Sequence, residues 1–361
     1  MVDIATRVHN HNWRIDPIVR SMLDTDFYKL LMCQSVRRNR PDVTVRFQVI
    51  NRTTSVRLAE LVDEAQLREQ LDHARTLRLT RGESTWLRGN TFYGKRQMFS
   101  SEFMAWLDDV RLPPYELTTR DGQFELTFEG AWPEVMLWEI PALTILTELR
   151  SRAVLHGMGR FELQVLYARA MTRVWEKLQH LTSLDEVRIA DFGTRRRHSF
   201  LWQDWCVQAL DEGLGDDRFI GTSNCLIAMR RDLEAIGTNA HELPMVTAAL
   251  ADDDVELRQA PYRVLEDWHA EHDGNLRVLA QGTTDASGMM FANIEWTNDL
   301  YAGRVAVMRT DTQFGIAVNQ WTNGIDPWTF GQNFNYYPQQ YRVYAYTDRP
   351  IYRPGQPVYF R

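Results

Sequence analysis

Apolar residues recur at helical spacing from Met22 to Val36, which predicts a helix opening at Asp24 or Thr25 with Tyr28 close to its first turn. Val43 to Ile50 alternates as a strand does, and helical stretches follow at Leu58 to Leu77, Glu83 to Leu87 and Glu102 to Leu107, up to the break at Pro113 and Pro114. Past Tyr115 the period changes to two. Strands are expected over Glu116 to Thr119 and Gln123 to Phe128, joined at Arg120-Asp121-Gly122, because an Asp-Gly pair tolerates the left-handed backbone of a tight turn. A long helical region opens at Trp138 and Glu139 and runs, with a break near Gly157 to Gly159, to Leu178. Its Leu, Ile, Val and Tyr stripe reads as core, and Glu139 and Glu148 read as helix-face charges.

From Val187 the pattern is strand, loop, helix. Val187 to Asp191 reads as a short strand, followed by the loop Asp191-Phe-Gly-Thr-Arg-Arg-Arg-His198 and a helix from Ser199 to Leu210 ended by Gly213. About thirty residues further on, the span of one strand-helix repeat, Gly221-Thr-Ser-Asn224 precedes Leu226, Met229, Leu233 and Ile236 at helical spacing. Ser223 or Asn224 would cap that helix and Gly237 would close it. The third loop, Gly237-Thr-Asn-Ala-His-Glu242, leads into helices over Pro244 to Leu250 and Ala260 to Ala270. Three glycine-threonine turns after apolar runs are the arrangement of loops at the carboxyl ends of parallel strands, where barrel and doubly wound enzymes keep their chemistry. The fold class expected is α/β: a mixed α+β domain over 1–135 with a small antiparallel sheet, then part of an irregular β/α barrel over 136–277. From Val278 the helical period vanishes and Gly, Thr, Asn, Trp and Tyr dominate, which predicts an all-β, sandwich-like segment over 278–361. Its expected strands include Arg304 to Met308, Phe314 to Asn319 and Arg342 to Tyr346.

Composition narrows the class. A chain of 361 residues, 44% hydrophobic and 25% charged, can bury a full core, and its net charge of -7 argues against nucleic-acid binding. No apolar run is long enough for a bilayer and the first thirty residues carry no signal core, so no membrane association and a cytoplasmic location are expected. Cys33, Cys206 and Cys225 form no CxxC pair and read as buried free thiols, with no structural metal site.

Candidate chemistry gathers in the three loops. A carboxylate on an aromatic ring needs a flat apolar slot with a cation at one end, and Phe192-Gly193-Thr194-Arg195 offers both; the planar fork of an arginine binds a carboxylate through two bonds. With Leu23-Asp-Thr-Asp-Phe-Tyr-Lys-Leu30 at the amino end, the three loops resemble the nicotinate phosphoribosyltransferase family over about residues 1–277. That resemblance implies an enzyme joining nicotinate to phosphoribosyl pyrophosphate with ATP hydrolysis, a first step of NAD salvage. It also implies Mg2+ as counter-ion of the donor, no tightly bound cofactor, and a homodimer in which Tyr28 of a second subunit and Phe192 sandwich the pyridine ring. Thr238 belongs to the Gly-Thr-x-x-His-Glu motif, whose histidine, here His241, accepts the phosphoryl group, with Glu242 holding the imidazole tautomer. Relatives that use nicotinamide carry a carboxylate at the place of Ser223, so the resemblance implies nicotinate; capping a helix is the plain alternative for Ser223.

The closing run Tyr346-Thr-Asp-Arg-Pro-Ile-Tyr-Arg-Pro-Gly-Gln356 resembles the bacterial alpha-macroglobulins, so residues 278–361 are expected to be an incomplete fragment of that kind, joined near Leu276 to Leu279. The family's Asp-Thr-Phe turn, Arg-x-Asp-Ser-Gly loop and glycine-rich phosphate loop do not follow, which predicts weak or no activity. The alternatives are an inactive chimeric or scaffold protein that still binds nicotinate, and a protease-inhibitor fragment.

Overall fold

A helix buried on every side stands at the centre of this chain. The computed structural model describes residues 17–184, 187–237, 239–272, 305–309 and 314–318. Helix α1 (Phe27–Asn39) buries ten consecutive residues, from Phe27 to Val36. Ten buried residues in succession leave no solvent face over that stretch, so the helix lies inside the core and carries Lys29, Gln34 and Ser35 into it. It starts two or three residues later than the periodicity predicts because Leu23 to Asp26 form a turn and bends held against the second loop: Leu226 N donates to Leu23 O at 2.8 Å, Cys225 N to Thr25 O at 3.0 Å and Phe27 N to Ser223 O at 2.7 Å. The amino-terminal motif is therefore stitched along the second glycine-threonine loop.

Strand β1 (Thr44–Gln48) follows, then α2 (Leu58–Leu61) and α3 (Glu64–Thr76). The single helix expected over Leu58 to Leu77 is split because Asp63 caps α3, accepting from Ala65 N at 2.9 Å. Helix α4 (Arg81–Gly89) opens on a capping box of Thr80 and Glu83, and the short pair β2 (Thr91–Phe92) and β3 (Lys95–Arg96) leads to α5 (Ser101–Asp109). Strands β4 (Tyr115–Arg120) and β5 (Gln123–Ala131) form the expected hairpin. Asp121 and Gly122 both have positive φ, 50° and 73°, as the favoured two-residue hairpin turn requires. Strand β1 adds to the far edge of β5, giving an antiparallel sheet in the order β1-β5-β4.

Beyond the sheet come α6 (Trp132–Val135), a 3-10 turn (Met136–Trp138), α7 (Glu139–His156) and α8 (Arg160–Thr182), broken near Gly157 as expected. Strand β6 (Ile189–Asp191), α9 (Phe200–Leu214) and β7 (Phe219–Thr222) make a β-α-β unit whose strands pair in parallel. Helix α9 runs past Gly213 and stops at Gly215, which has φ 69°. Gly213 has a different reason to be glycine, since an added Cβ would lie 3.0 Å from the Leu178 side chain of α8.

Helix α10 (Cys225–Arg231) is shorter than its apolar spacing suggests, because Asp232 turns left-handed at φ 55° and ends it. Leu233 to Ile236 then run extended beside β7: Thr222 N donates to Glu234 O at 3.1 Å, Ile236 N donates to Thr222 O at 2.9 Å, and Ala235 bridges Thr222 in parallel. Two apolar residues at helical spacing here serve a third parallel segment. This β-α-β unit with its added segment is what the described residues contain of the expected barrel. Helices α11 (Glu242–Ala249) and α12 (Asp254–His272) follow.

One apolar core draws on residues from Ile18 to Trp268, including the tryptophans Trp132 and Trp138. Cys33 and Cys225 are buried and Cys206 half-buried, all as free thiols, and burial pushes Cys206 up to about 12. No described helix is long and apolar enough to cross a membrane. The chain divides after Leu279 into two units. In the second, β8 (Val305–Arg309) pairs antiparallel with β9 (Phe314–Val318), matching two of the strands expected there; Arg342 to Tyr346 and the rest of the expected sandwich lie outside the described residues.

Candidate active site

The loops after β6 and β7 converge on the amino-terminal motif through a buried polar knot. Arg197 is sealed and forks onto Asp24, with Nη1 to Oδ1 at 2.6 Å and Nη2 to Oδ2 at 2.9 Å, while Nη2 also donates to Ile18 O at 2.8 Å. Asn224 donates to Asp24 Oδ1 at 2.9 Å, and its own Oδ1 accepts from Ile227 N at 3.0 Å to cap α10. Burial pushes the Asp24 carboxyl up, but the Arg197 charge and hydrogen bonds from Arg197, Asn224 and Arg20 overcome this and hold it below the usual range. Glu148, read from sequence as a helix-face charge, is buried: it pairs with Arg152 and accepts from Phe200 N at 3.2 Å, fixing the start of α9.

Asp26 is a carboxylate of a different kind. Ser223 Oγ donates to it at 2.7 Å, yet burial raises its pKa above the ordinary value, and bonds from Ser223 and Thr194 recover only part of the cost. A carboxylate raised by folding weighs against the folded state where it is ionised. Asp26→Asn, whose amide oxygen can still accept from Ser223, is therefore expected to leave stability at pH 7 unchanged or to raise it by up to about 1 kcal/mol. Urea unfolding of variant and parent, side by side, checks this; a loss of more than about 1 kcal/mol would contradict it.

Ser223 lies inside the knot. Its side chain is fully buried and its hydroxyl is committed to Asp26, so it does not face an open slot, and Asn224, not Ser223, caps the helix. Thr194 is likewise buried in the knot, where its hydroxyl accepts from Gln203 at 3.2 Å and from Asn224 at 3.3 Å. Gly193 N donates to Asp191 Oδ1 at 3.1 Å, which shapes the turn between Phe192 and Arg195.

Beside the knot lies a second charged cluster that sequence reasoning missed. Lys29, with no exposed surface, bridges Glu139 and Glu242. Burial would lower its pKa, but the charges of Glu242 and Glu139 more than compensate and raise it. The second oxygen of Glu139 accepts from Arg195 Nη1 at 2.6 Å, and the second oxygen of Glu242 accepts from Trp132 Nε1 at 2.6 Å. Glu139 is thus no free helix-face charge, and burial, which would raise its pKa, is outweighed by Lys29 and Arg195, which hold it low. With both its oxygens taken by Lys29 and Trp132, Glu242 is not disposed to fix the tautomer of His241. The available signal was a lysine set among Phe27, Tyr28, Leu30 and Leu31, where a charge must be paired to be tolerated.

The three arginines of the loop divide their work. Arg197 is structural, Arg196 faces solvent, and Arg195 stands at the cluster with a side chain 40% exposed. Phe192, three residues before it, is 54% exposed on the same loop. Tyr28 is only 6% exposed, its phenol is raised by burial and by the nearby Glu139 and Asp26 charges, and its hydroxyl lacks a hydrogen-bond partner. A Cβ at Gly237 would meet Tyr28 N at 2.5 Å, so that only glycine lets the third loop lie against the first turn of α1. Tyr93 Oη clamps the same glycine, donating to Gly237 O at 2.7 Å and accepting from Gly237 N. His241 is exposed at the entry to α11, and Thr238 lies outside the described residues. His198, read as a plain structural residue, is half-buried with Nε2 2.9 Å from Tyr167 Oη.

A β-α-β unit with an aromatic-arginine loop over a buried charged cluster places the described residues among α/β proteins. Residues 23–147 match the family described as nicotinate phosphoribosyltransferase N-terminal domain, and residues 187–312 match the nicotinate phosphoribosyltransferase family. Together the two matches span well over half of the chain, which belongs to this family. The second match runs past the boundary drawn at 277, into the stretch whose composition had led elsewhere. Among solved structures, the chain is similar to a nicotinate phosphoribosyltransferase from Vibrio cholerae at 26% identity and TM-score 0.60, covering 73% of this chain and 60% of that one. It is also similar to the enzyme from Porphyromonas gingivalis at 25% identity and TM-score 0.57, covering 72% and 62%. The chain thus spans about three fifths of the length of these relatives.

Proposed function

We propose that this chain binds nicotinate at the β6 loop and takes part in transfer of the phosphoribosyl group from phosphoribosyl pyrophosphate to the nicotinate ring nitrogen, with pyrophosphate leaving. The observation that carries the reading is Arg195, half-exposed beside the exposed ring of Phe192 and tied to Glu139 through one terminal nitrogen. A guanidinium so held can offer its other edge to a ring carboxylate, while Phe192 and Tyr28 supply apolar surface for the ring. Discrimination against nicotinamide then rests on Arg195 and not on Ser223, which is sealed against Asp26. Mg2+ belongs to the pyrophosphate of the donor as its counter-ion; among the described residues no group of three or more His, Cys, Asp or Glu side chains is placed to hold an ion.

In this reading ATP enters through His241. The imidazole attacks the γ-phosphorus, an N–P bond forms as the bond to the β-phosphate oxygen breaks, and ADP leaves. Its exposure at the start of α11 gives it the access such a step needs. The protein is expected to act as a dimer in the cytoplasm. The family match across 278–312 weighs against a join to an unrelated piece at 276–279.

Purified chain given nicotinate, donor, magnesium and γ-labelled ATP tests the reading. Acid-labile label on the protein and nicotinate binding in calorimetry are expected, and His241→Asn is expected to abolish the label while leaving nicotinate affinity within about twofold, a change of under half a kcal/mol. Absence of nicotinate binding by the parent chain would overturn the assignment.

A further inference from the structure

The three arginines of the β6 loop differ in what restrains them, and Arg195 is restrained through a relay. Glu139 is the first residue of α7, at the helix end where a carboxylate is favoured. One of its oxygens takes Arg195 Nη1 at 2.6 Å and the other takes Lys29 Nζ at 2.5 Å. Lys29 in turn is anchored by Glu242, itself fixed by the indole of Trp132, a fully buried side chain. Burial deepens from the half-exposed arginine through Glu139 to the sealed lysine.

Resting on the reading that Arg195 receives the nicotinate carboxylate, we propose that Lys29 and Glu139 are positioning residues that hold the Arg195 guanidinium in its ligand-ready orientation. A flexible arginine on a loop must otherwise lose several rotors of freedom when it forks onto a ligand. Glu139 settles that orientation beforehand and does so with a single hydrogen bond, so that only one edge of the fork is occupied. Lys29 makes the arrangement tolerable, since it neutralises Glu139 and Glu242, two carboxylates that would otherwise face each other across a dry interior. Neither residue needs to touch the ligand.

A double-mutant cycle on the full chain separates this from a purely structural role. Nicotinate affinity is measured by calorimetry for the parent, Arg195→Ala, Glu139→Gln and the double variant, with thermal unfolding as a check on folding. Arg195→Ala is expected to weaken nicotinate by at least about thirtyfold, as loss of a charge partner does, and Glu139→Gln by about tenfold. The double variant is expected to bind no more weakly than Arg195→Ala alone, because a residue that acts through Arg195 has nothing left to position. Losses that multiply in the double variant would overturn the proposal while leaving the nicotinate reading intact, and so would parent-like affinity in Glu139→Gln. Unchanged affinity in Arg195→Ala would instead remove the nicotinate reading and the proposal with it. Should Glu139→Gln fail to fold, Glu139→Asp, which keeps the charge but shortens the reach, enters the same cycle with a smaller expected loss and the same criterion.

Discussion

Replacing Arg197 with methionine is expected to cost about 3–5 kcal/mol of folding stability, enough to unfold much of the population of an ordinary domain at 37 °C. The reason is what the substitution leaves behind. Asp24 is sealed from water and receives two of its hydrogen bonds from this guanidinium, so a neutral side chain at 197 strands a buried carboxylate with Asn224 as its main remaining side-chain donor. Urea unfolding at pH 7 reads the loss directly, and a cost under about 1 kcal/mol would show that the pair is not what holds the knot. The same pair predicts an acid limb. The folded-state pKa of Asp24 is depressed, so its contribution is fully present above the unfolded value near 3.8 and disappears as pH falls through the folded value. The parent chain should therefore lose this part of its stability only below about pH 4, whereas Arg197→Met has no such contribution to lose.

The second large effect belongs to Gly221. Its φ is 127°, in the region L side chains avoid, and a Cβ there would stand 2.1 Å from the carbonyl oxygen of Glu234. Gly221→Ala must either strain the backbone or push the Leu233 to Ile236 segment off β7, and the expected cost is about 3 kcal/mol or more. Because that segment leads directly to Gly237 and the Tyr28 contact, nicotinate binding should fall with stability. Gly82→Ala is the control: nothing lies within 4 Å of the added atom and the position is inside helix α4, so stability should hold or rise by up to about 1 kcal/mol. A parent-like melting temperature for Gly221→Ala would show that the segment yields without cost.

The elements with strong local rules were legible from the residues alone. The Asp121-Gly122 hairpin, the Gly157 break and the β6-α9-β7 repeat each rest on turn chemistry or on a period that tertiary context does not override. The start of α1 and the end of α10 were not, since both are decided by pairing between segments far apart in sequence: Asp26 to Asn224, and Ala235 to Thr222. Side-chain roles divided the same way. Arg195 and Phe192 could be proposed from adjacency, but Lys29, Glu139 and Glu242 meet only in three dimensions, and no spacing rule joins positions separated by 110 and 213 residues. Ser223 likewise meets Asp26 only in three dimensions, a partner 197 residues away.

That long reach has a consequence for how the protein is made. Leu23 to Leu31 lie between segments that leave the ribosome some 200 residues later, as the contact of Asp24 with Asn224 records. At roughly 5–20 residues per second, the nascent amino-terminal segment waits on the order of 10–40 s with Phe27, Leu30 and Leu31 unsatisfied. Long-range contacts of this kind slow folding and lengthen exposure to aggregation, so the wait during synthesis adds a hazard that the stability of the finished core does not remove.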